Sequence, residues 1–224
     1  MRNKLKNFGF TSNKKIPVDK FLEKALYEPR VGYYNNKFPF GKDGDFVTSP
    51  TISNLFSEIL AIWIISAWEK FERPKIFNLV ELGPGDGSLI KILIQTFKKF
   101  PEFNKSVKIF LYEKSDFLID IQKKKIQKKQ INWIKNYNTI KKGPVIFFGN
   151  EFFDAIPIKQ FTVKNKKFLE KCYFVNKKGL VETYKKALPS DVSFVKSFDT
   201  LKNQNFIEYP KLGFYELNKI IKKI

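Results

Sequence analysis

Apolar and polar positions follow two different rhythms along this chain, and each change of rhythm marks an element. Val18 to Tyr27 has apolar residues at helical spacing and stops near Pro29, which predicts a short helix. From Gly32-Tyr33-Tyr34 to Gly41-Lys42-Asp43-Gly44-Asp45-Phe46 the pattern dissolves into turn residues and reads as a loop. Ser49-Pro50 then has the chemistry of an N-cap and first helical turn, and an apolar helix is predicted to run to about Phe71. Its most apolar run, Ile59 to Trp68, lies between Glu58 and Glu69 and falls far short of the ~20 residues that span a bilayer. A buried helix is expected there. After Arg73-Pro74 the rhythm becomes short continuous apolar runs near 77–82, 107–112 and 131–134, with helical patterns between them, as in a parallel sheet. Pro144-Val145-Ile146-Phe147-Phe148 supplies a fourth strand. Residues 158–184 alternate as short antiparallel strands do, with Asn176-Lys177-Lys178-Gly179 as a turn, and Phe214 to Ile224 reads as a final amphipathic helix. No internal repeat is visible. The expectation is an α/β protein with a helical extension over 1–72, an α/β core over 73–160 and a small β/helix subdomain over 161–224.

The first strand of that core, Phe77-Asn78-Leu79-Val80-Glu81-Leu82, breaks into Gly83-Pro84-Gly85-Asp86-Gly87. The helix that follows has Leu89, Leu93, Phe97 and Phe100 on one face and is stopped by Pro101. Strand, glycine turn and helix in this order form the usual seat of a nucleotide-like cofactor in α/β proteins. Spacing narrows the choice. A dinucleotide fingerprint needs a glycine at the sixth position from Gly83, where Ser88 stands, and the Gly-Lys-Ser/Thr ending of a P-loop is absent. An acid followed by Gly-x-Gly-x-Gly resembles motif I of the S-adenosylmethionine methyltransferases; a ligand-free glycine turn is the competing reading. The strand 107–112 ends in Glu113, one βαβ repeat later, where a carboxylate can accept both ribose hydroxyls or simply be solvated beside the following lysines. The fourth strand leads into Gly149-Asn150-Glu151-Phe152-Phe153-Asp154-Ala155-Ile156-Pro157. Asn150, Glu151 and Asp154 are expected beside the glycine loop, either receiving a cationic or amide-bearing substrate or capping the next segment.

Composition alters this picture little. The net charge of +20 invites a nucleic-acid reading, yet only Arg2, Arg30 and Arg73 of the 42 basic residues are arginines. Lysine is a flexible point charge, whereas base and phosphate recognition favours the planar arginine fork, so a specific nucleic-acid partner is not expected. The absence of histidine removes histidine-based triads and most zinc sites. Cys172 is the only cysteine, which excludes an internal disulfide and fits a reducing compartment. The first 18 residues hold no acid and a single arginine, which leaves room for a transit peptide but not for a secretory signal.

Several segments together resemble the MidA family: Ala25-Leu26-Tyr27-Glu28-Pro29 with Gly32-Tyr33-Tyr34, then Gly44-Asp45-Phe46-Val47-Thr48-Ser49-Pro50, then Glu81 to Gly87, and Asn150 to Pro157 with Gln160-Phe161. That resemblance implies a class I, Rossmann-like methyltransferase sheet that uses S-adenosylmethionine. It implies protein-arginine methylation on a complex I subunit, located in the mitochondrial matrix of eukaryotes or in bacterial cytoplasm. Asp86 departs from the family's usual arginine and Thr51 from its usual glutamate. Phe206-Ile207-Glu208-Tyr209-Pro210 and the last helix resemble the family's middle, so the sheet is expected to be incomplete at its C-terminal side. The fourth strand would then be an apolar edge, open to a partner chain that completes the sheet. A non-catalytic assembly protein keeping the same fold is the alternative. On the enzymatic reading Glu81, Gly83, Gly85, Gly87, Glu113 and Asn150 hold the cofactor. Glu151 and Asp154 clamp a guanidinium, and Asp45 closes over it.

Overall fold

The computed structural model describes residues 14–36, 53–126, 131–176, 179–201 and 203–224. The described elements begin with β1 (Ile16–Pro17), α1 (Val18–Tyr27), α2 (Tyr33–Asn36) and α3 (Asn54–Lys70). Then come β2 (Phe77–Leu82), α4 (Ser88–Phe97), α5 (Pro101–Ser106), β3 (Val107–Tyr112), α6 (Asp116–Ile126), β4 (Ile131–Ile134) and β5 (Val145–Phe148). The chain continues through β6 (Lys159–Lys164), β7 (Lys167–Asn176), β8 (Gly179–Lys186), α7 (Pro189–Lys196), β9 (Phe206–Tyr209) and α8 (Lys211–Ile221). It divides into two units: residues 37–152 with 219–224, and residues 1–36 with 153–218.

The first of these units is built on a parallel sheet in the order β4-β3-β2-β5. Every residue of β2 is buried, as befits a central strand covered on both faces. Its alternate residues serve different layers. Phe77 and Leu79 pack with Ala61, Ile64 and Trp68 of α3 and with Leu89, Leu93 and Phe97 of α4. Val80 and Leu82 face the other way, toward Phe110, Tyr112, Ile134, Tyr137 and Ile220. Among the described residues β5 pairs with β2 alone, and its four residues are half-buried. The α/β architecture therefore matches the sequence expectation, and among the described residues the fourth strand is an edge strand.

One predicted helix start falls outside the described residues, and one predicted helix end differs. Ser53 caps α3, its hydroxyl accepting the Leu55 amide at 3.1 Å, while Ser49-Pro50 lies outside the described residues. The preceding helix α4 already ends at Phe97, with Lys98 as its C-cap, so Phe100 lies beyond it and Pro101, in the first turn of α5, begins a helix and does not stop one.

The second unit is an antiparallel sheet in which β7 pairs with β1, β6 and β8, and β6 pairs with β9. Asn165 and Lys166 join β6 to β7 with φ values of 49° and 60°, the left-handed pair of a two-residue hairpin turn. The two-residue strand β1 carries too short a pattern to be read from sequence. A buried charge network lies in this unit: Lys159 reaches Glu170 at 2.5 Å and Asp191 at 3.2 Å, and Lys211 reaches Asp191 at 2.6 Å.

Candidate functional site

β2 carries Glu81 to the carboxyl edge of the parallel sheet, and the chain then turns through Gly83, Gly85 and Gly87 at φ values of 61°, 57° and 79°. These are left-handed conformations that only glycine adopts cheaply. Gly83 has a second constraint: a Cβ there would stand 2.9 Å from the ring of Phe152. The residue after β5 is just as tight, since a Cβ on Gly149 would be 3.0 Å from the Leu82 carbonyl oxygen. The loops that follow β2 and β5 are thus in direct contact, with Phe152 wedged between them and against Tyr112.

Glu81 is 2% exposed, and its Oε2 has no hydrogen-bond partner among the described residues. Burial, aided by the negative charge of Asp86, pushes its pKa up to about 8. Asp86 itself accepts the Ser88 amide and hydroxyl, both at 2.9 Å, and Lys125 Nζ at 2.5 Å. It therefore closes the first turn of α4, whose N-cap is Gly87 and offers no side chain.

Glu113 stands at the tip of β3, 7% exposed. Its Oε1 accepts the amides of Lys114 and Ser115 at 2.8 and 2.9 Å, and its Oε2 accepts Gln122 Nε2 at 3.3 Å. Burial raises its pKa, and these same donors pull it back. Gln122, fully buried on α6, also donates to the Gly85 carbonyl at 2.8 Å and accepts Trp133 Nε1 at 2.9 Å. A single amide thus ties the glycine loop to the acid of the next strand. Sequence reading missed it. The available signal was a polar residue within the buried face formed by Leu118, Ile119 and Ile126.

The structure brings Glu81, Gly83, Gly85, Gly87 and Glu113 to one edge of the sheet. Asn150 is half-buried in the loop after β5, and Glu151 is exposed at φ 54°. Asp154 is exposed and belongs to the other unit, and Asp45 lies outside the described residues. A hollow of about 260 Å³ lined by Trp68, Arg73, Lys75 and Ser106 sits before β2 and β3 begin, at the opposite edge from the glycines. No helix among the described residues is long and apolar enough to cross a membrane, and no group of metal-binding side chains is found among them.

Residues 59–222 match the sequence profile of the family described as "Putative S-adenosyl-L-methionine-dependent methyltransferase". The chain is 34% identical over 175 residues to protein arginine methyltransferase NDUFAF7, mitochondrial, of Xenopus laevis, covering 67% of this chain and 40% of that protein. It is 31% identical over 170 residues to the human protein of the same name, covering 65% and 38%. The chain thus spans about 40% of the length of the curated relatives it matches. Its fold is that of a Burkholderia thailandensis superfamily member crystallised with S-adenosyl-homocysteine, at a TM-score of 0.78 and 20% identity. That match covers 99% of this chain and 58% of the crystallised one. With the glycine turn, the two strand-tip acids and this match over residues 59–222, the chain belongs to the family of S-adenosyl-L-methionine-dependent methyltransferases.

Proposed function

We propose that this protein methylates an arginine side chain of a protein, a respiratory complex I subunit by analogy with the family resemblance. The observation that carries the reading is Glu81, a buried carboxyl with a partnerless oxygen beside three left-handed glycines. A buried acid left unpaired is costly unless a ligand completes it, and the ligand best suited to it is a cation. S-adenosylmethionine has cationic ammonium and sulfonium groups and supplies a methyl group bonded to the positive sulfur.

In this reading Gly83, Gly85 and Gly87 give backbone access along the cofactor's methionine and ribose side, and Glu81 faces its cationic end. Glu113 keeps lone pairs on Oε2 for the ribose hydroxyls, held in place by Gln122 and two amides. Asn150 lines the same edge. Methyl transfer to nitrogen is an in-line displacement, so the protein works by positioning and electrostatics. Guanidinium, with a pKa above about 12, is a poor nucleophile. Glu151 and Asp154 would clamp it, draw its charge away from the attacking nitrogen and orient it, with Asp45 closing over the group. The half-paired edge of β5 supports a partner segment that completes the sheet. The buried, solitary Cys172 is in keeping with a reducing compartment, bacterial cytoplasm or mitochondrial matrix.

Calorimetry and a transfer assay on an arginine-bearing peptide test the division of roles. Glu113→Ala should weaken S-adenosylmethionine binding about tenfold or more, a loss of ~1.4 kcal/mol. Glu151→Gln should bind it as the parent does yet transfer no methyl group. Equal loss of cofactor affinity in both variants would refute the assignment.

A further inference from the structure

The segment from Tyr27 to Asn35 folds into a compact aromatic cluster. α1 ends at Tyr27, and the Gly32 amide donates back to the Glu28 carbonyl at 2.7 Å. A Cβ on Gly32 would stand 2.4 Å from the Glu28 nitrogen, so only glycine permits this turn. The turn returns the chain over its own start: Asn35 Nδ2 donates to the Tyr27 carbonyl at 2.9 Å, and the rings of Tyr27 and Tyr34 stack with centroids 5.5 Å apart. Tyr33 meets Tyr34 edge-on at 5.3 Å. All three tyrosines are half-buried.

This cluster is joined to the loop that carries Asp154. The Tyr27 hydroxyl donates to the carbonyl of Ala155 at 3.5 Å, one residue from that exposed carboxylate. Both segments belong to the same unit. The charge pattern is unusual for this chain: residues 149–158 hold two acids and no base, although the protein has a net charge of +20.

We infer that Tyr27, Tyr33 and Tyr34, together with Asp154, form a recognition surface for the guanidinium of an arginine side chain. Aromatic faces attract a cation through the ring quadrupole, and the planar guanidinium stacks on them as an ammonium does not. A carboxylate on the loop that the Tyr27 hydroxyl meets adds a charged partner for its N–H fork. The inference deepens the reading of this protein as an arginine methyltransferase and names the groups that select the substrate. It is nevertheless tested without cofactor, so the two can fail separately.

The probe is a Gly-Arg-Gly peptide blocked at both ends, with lysine and citrulline counterparts, titrated into the 224-residue chain while tyrosine-ring NMR signals are followed. The arginine peptide should shift these signals saturably, the lysine peptide should bind more weakly, and the neutral citrulline peptide should leave them unmoved. Tyr33→Leu should weaken arginine binding about fivefold, whereas Tyr33→Phe, which keeps the π face, should retain it. Asp154→Asn, at an exposed site that does not threaten folding, should weaken binding and reduce its salt dependence. S-adenosylmethionine affinity, measured in parallel, should stay at the parent value in all three variants. Equal binding of arginine and citrulline peptides would overturn the inference, as would parent-like arginine binding by Asp154→Asn.

Discussion

At the scale of single residues, Glu81 concentrates the chemistry. With its pKa near 8, the carboxyl is mostly protonated at neutral pH while no cation faces it. In the unfolded chain it would ionise near 4.5, so the folded state holds the extra proton between those values. Stability from this group is therefore complete below about pH 4.5 and declines as pH rises toward 8, by a few kcal/mol in all. Glu81→Gln should melt close to the parent at pH 5 and clearly above it at pH 8.5, as thermal scans at the two pH values would show. A variant that loses stability equally at both would mean the carboxyl is paired after all. Glu81 and Glu113 were both legible in sequence, because an acid at the end of an apolar strand stands out. Gln122 was not, because its role depends on three partners from separate elements: Gly85, Glu113 and Trp133.

At the scale of elements, α3 shows how a strongly apolar helix can occupy a surface. Ala61, Ile64, Ile65 and Trp68 are buried, yet Leu55, Ile59, Ile62 and Trp63 on its other side are 45–62% exposed. The sequence predicted a buried helix from apolar content alone, and its inward side meets that expectation. Its outward side does not, because the periodicity of a helix apolar all round cannot reveal which face has a neighbour. The two faces should respond differently to truncation. Ile64→Ala should cost about 2–5 kcal/mol by opening a cavity, and Ile59→Ala about 0.5 kcal/mol or less, as read from urea unfolding midpoints. Similar costs at both positions would show that the outer face is covered in solution. Strand positions were read more closely than helix ends. Period-two patterns and buried runs span a whole strand, whereas an N-cap such as Ser53 rests on one hydroxyl and one amide.

For the whole molecule, charge and connectivity dominate. A net charge of +20 carried almost wholly by lysine attracts polyanions without reading them. Any affinity for duplex DNA should be independent of sequence and fall by about a thousandfold or more between 50 and 200 mM salt. Sequence-dependent binding that survives at the higher salt would reinstate a nucleic-acid role. The pairing of β1 with β7 groups the first 36 residues with residues 153–218, a long-range connection that spans the whole parallel-sheet unit in sequence. The sequence alone determined the α/β class, the strand–glycine–helix turn and the acids at two strand tips. Each follows from local periodicity or from backbone angles that only glycine tolerates. Only the tertiary structure decided that Phe152 closes on Gly83, that Gln122 joins two strand ends, and that Tyr27 at the end of α1 meets the loop bearing Asp154. Most of those contacts link residues tens of positions or more apart, and no local pattern encodes which partners packing will bring within reach.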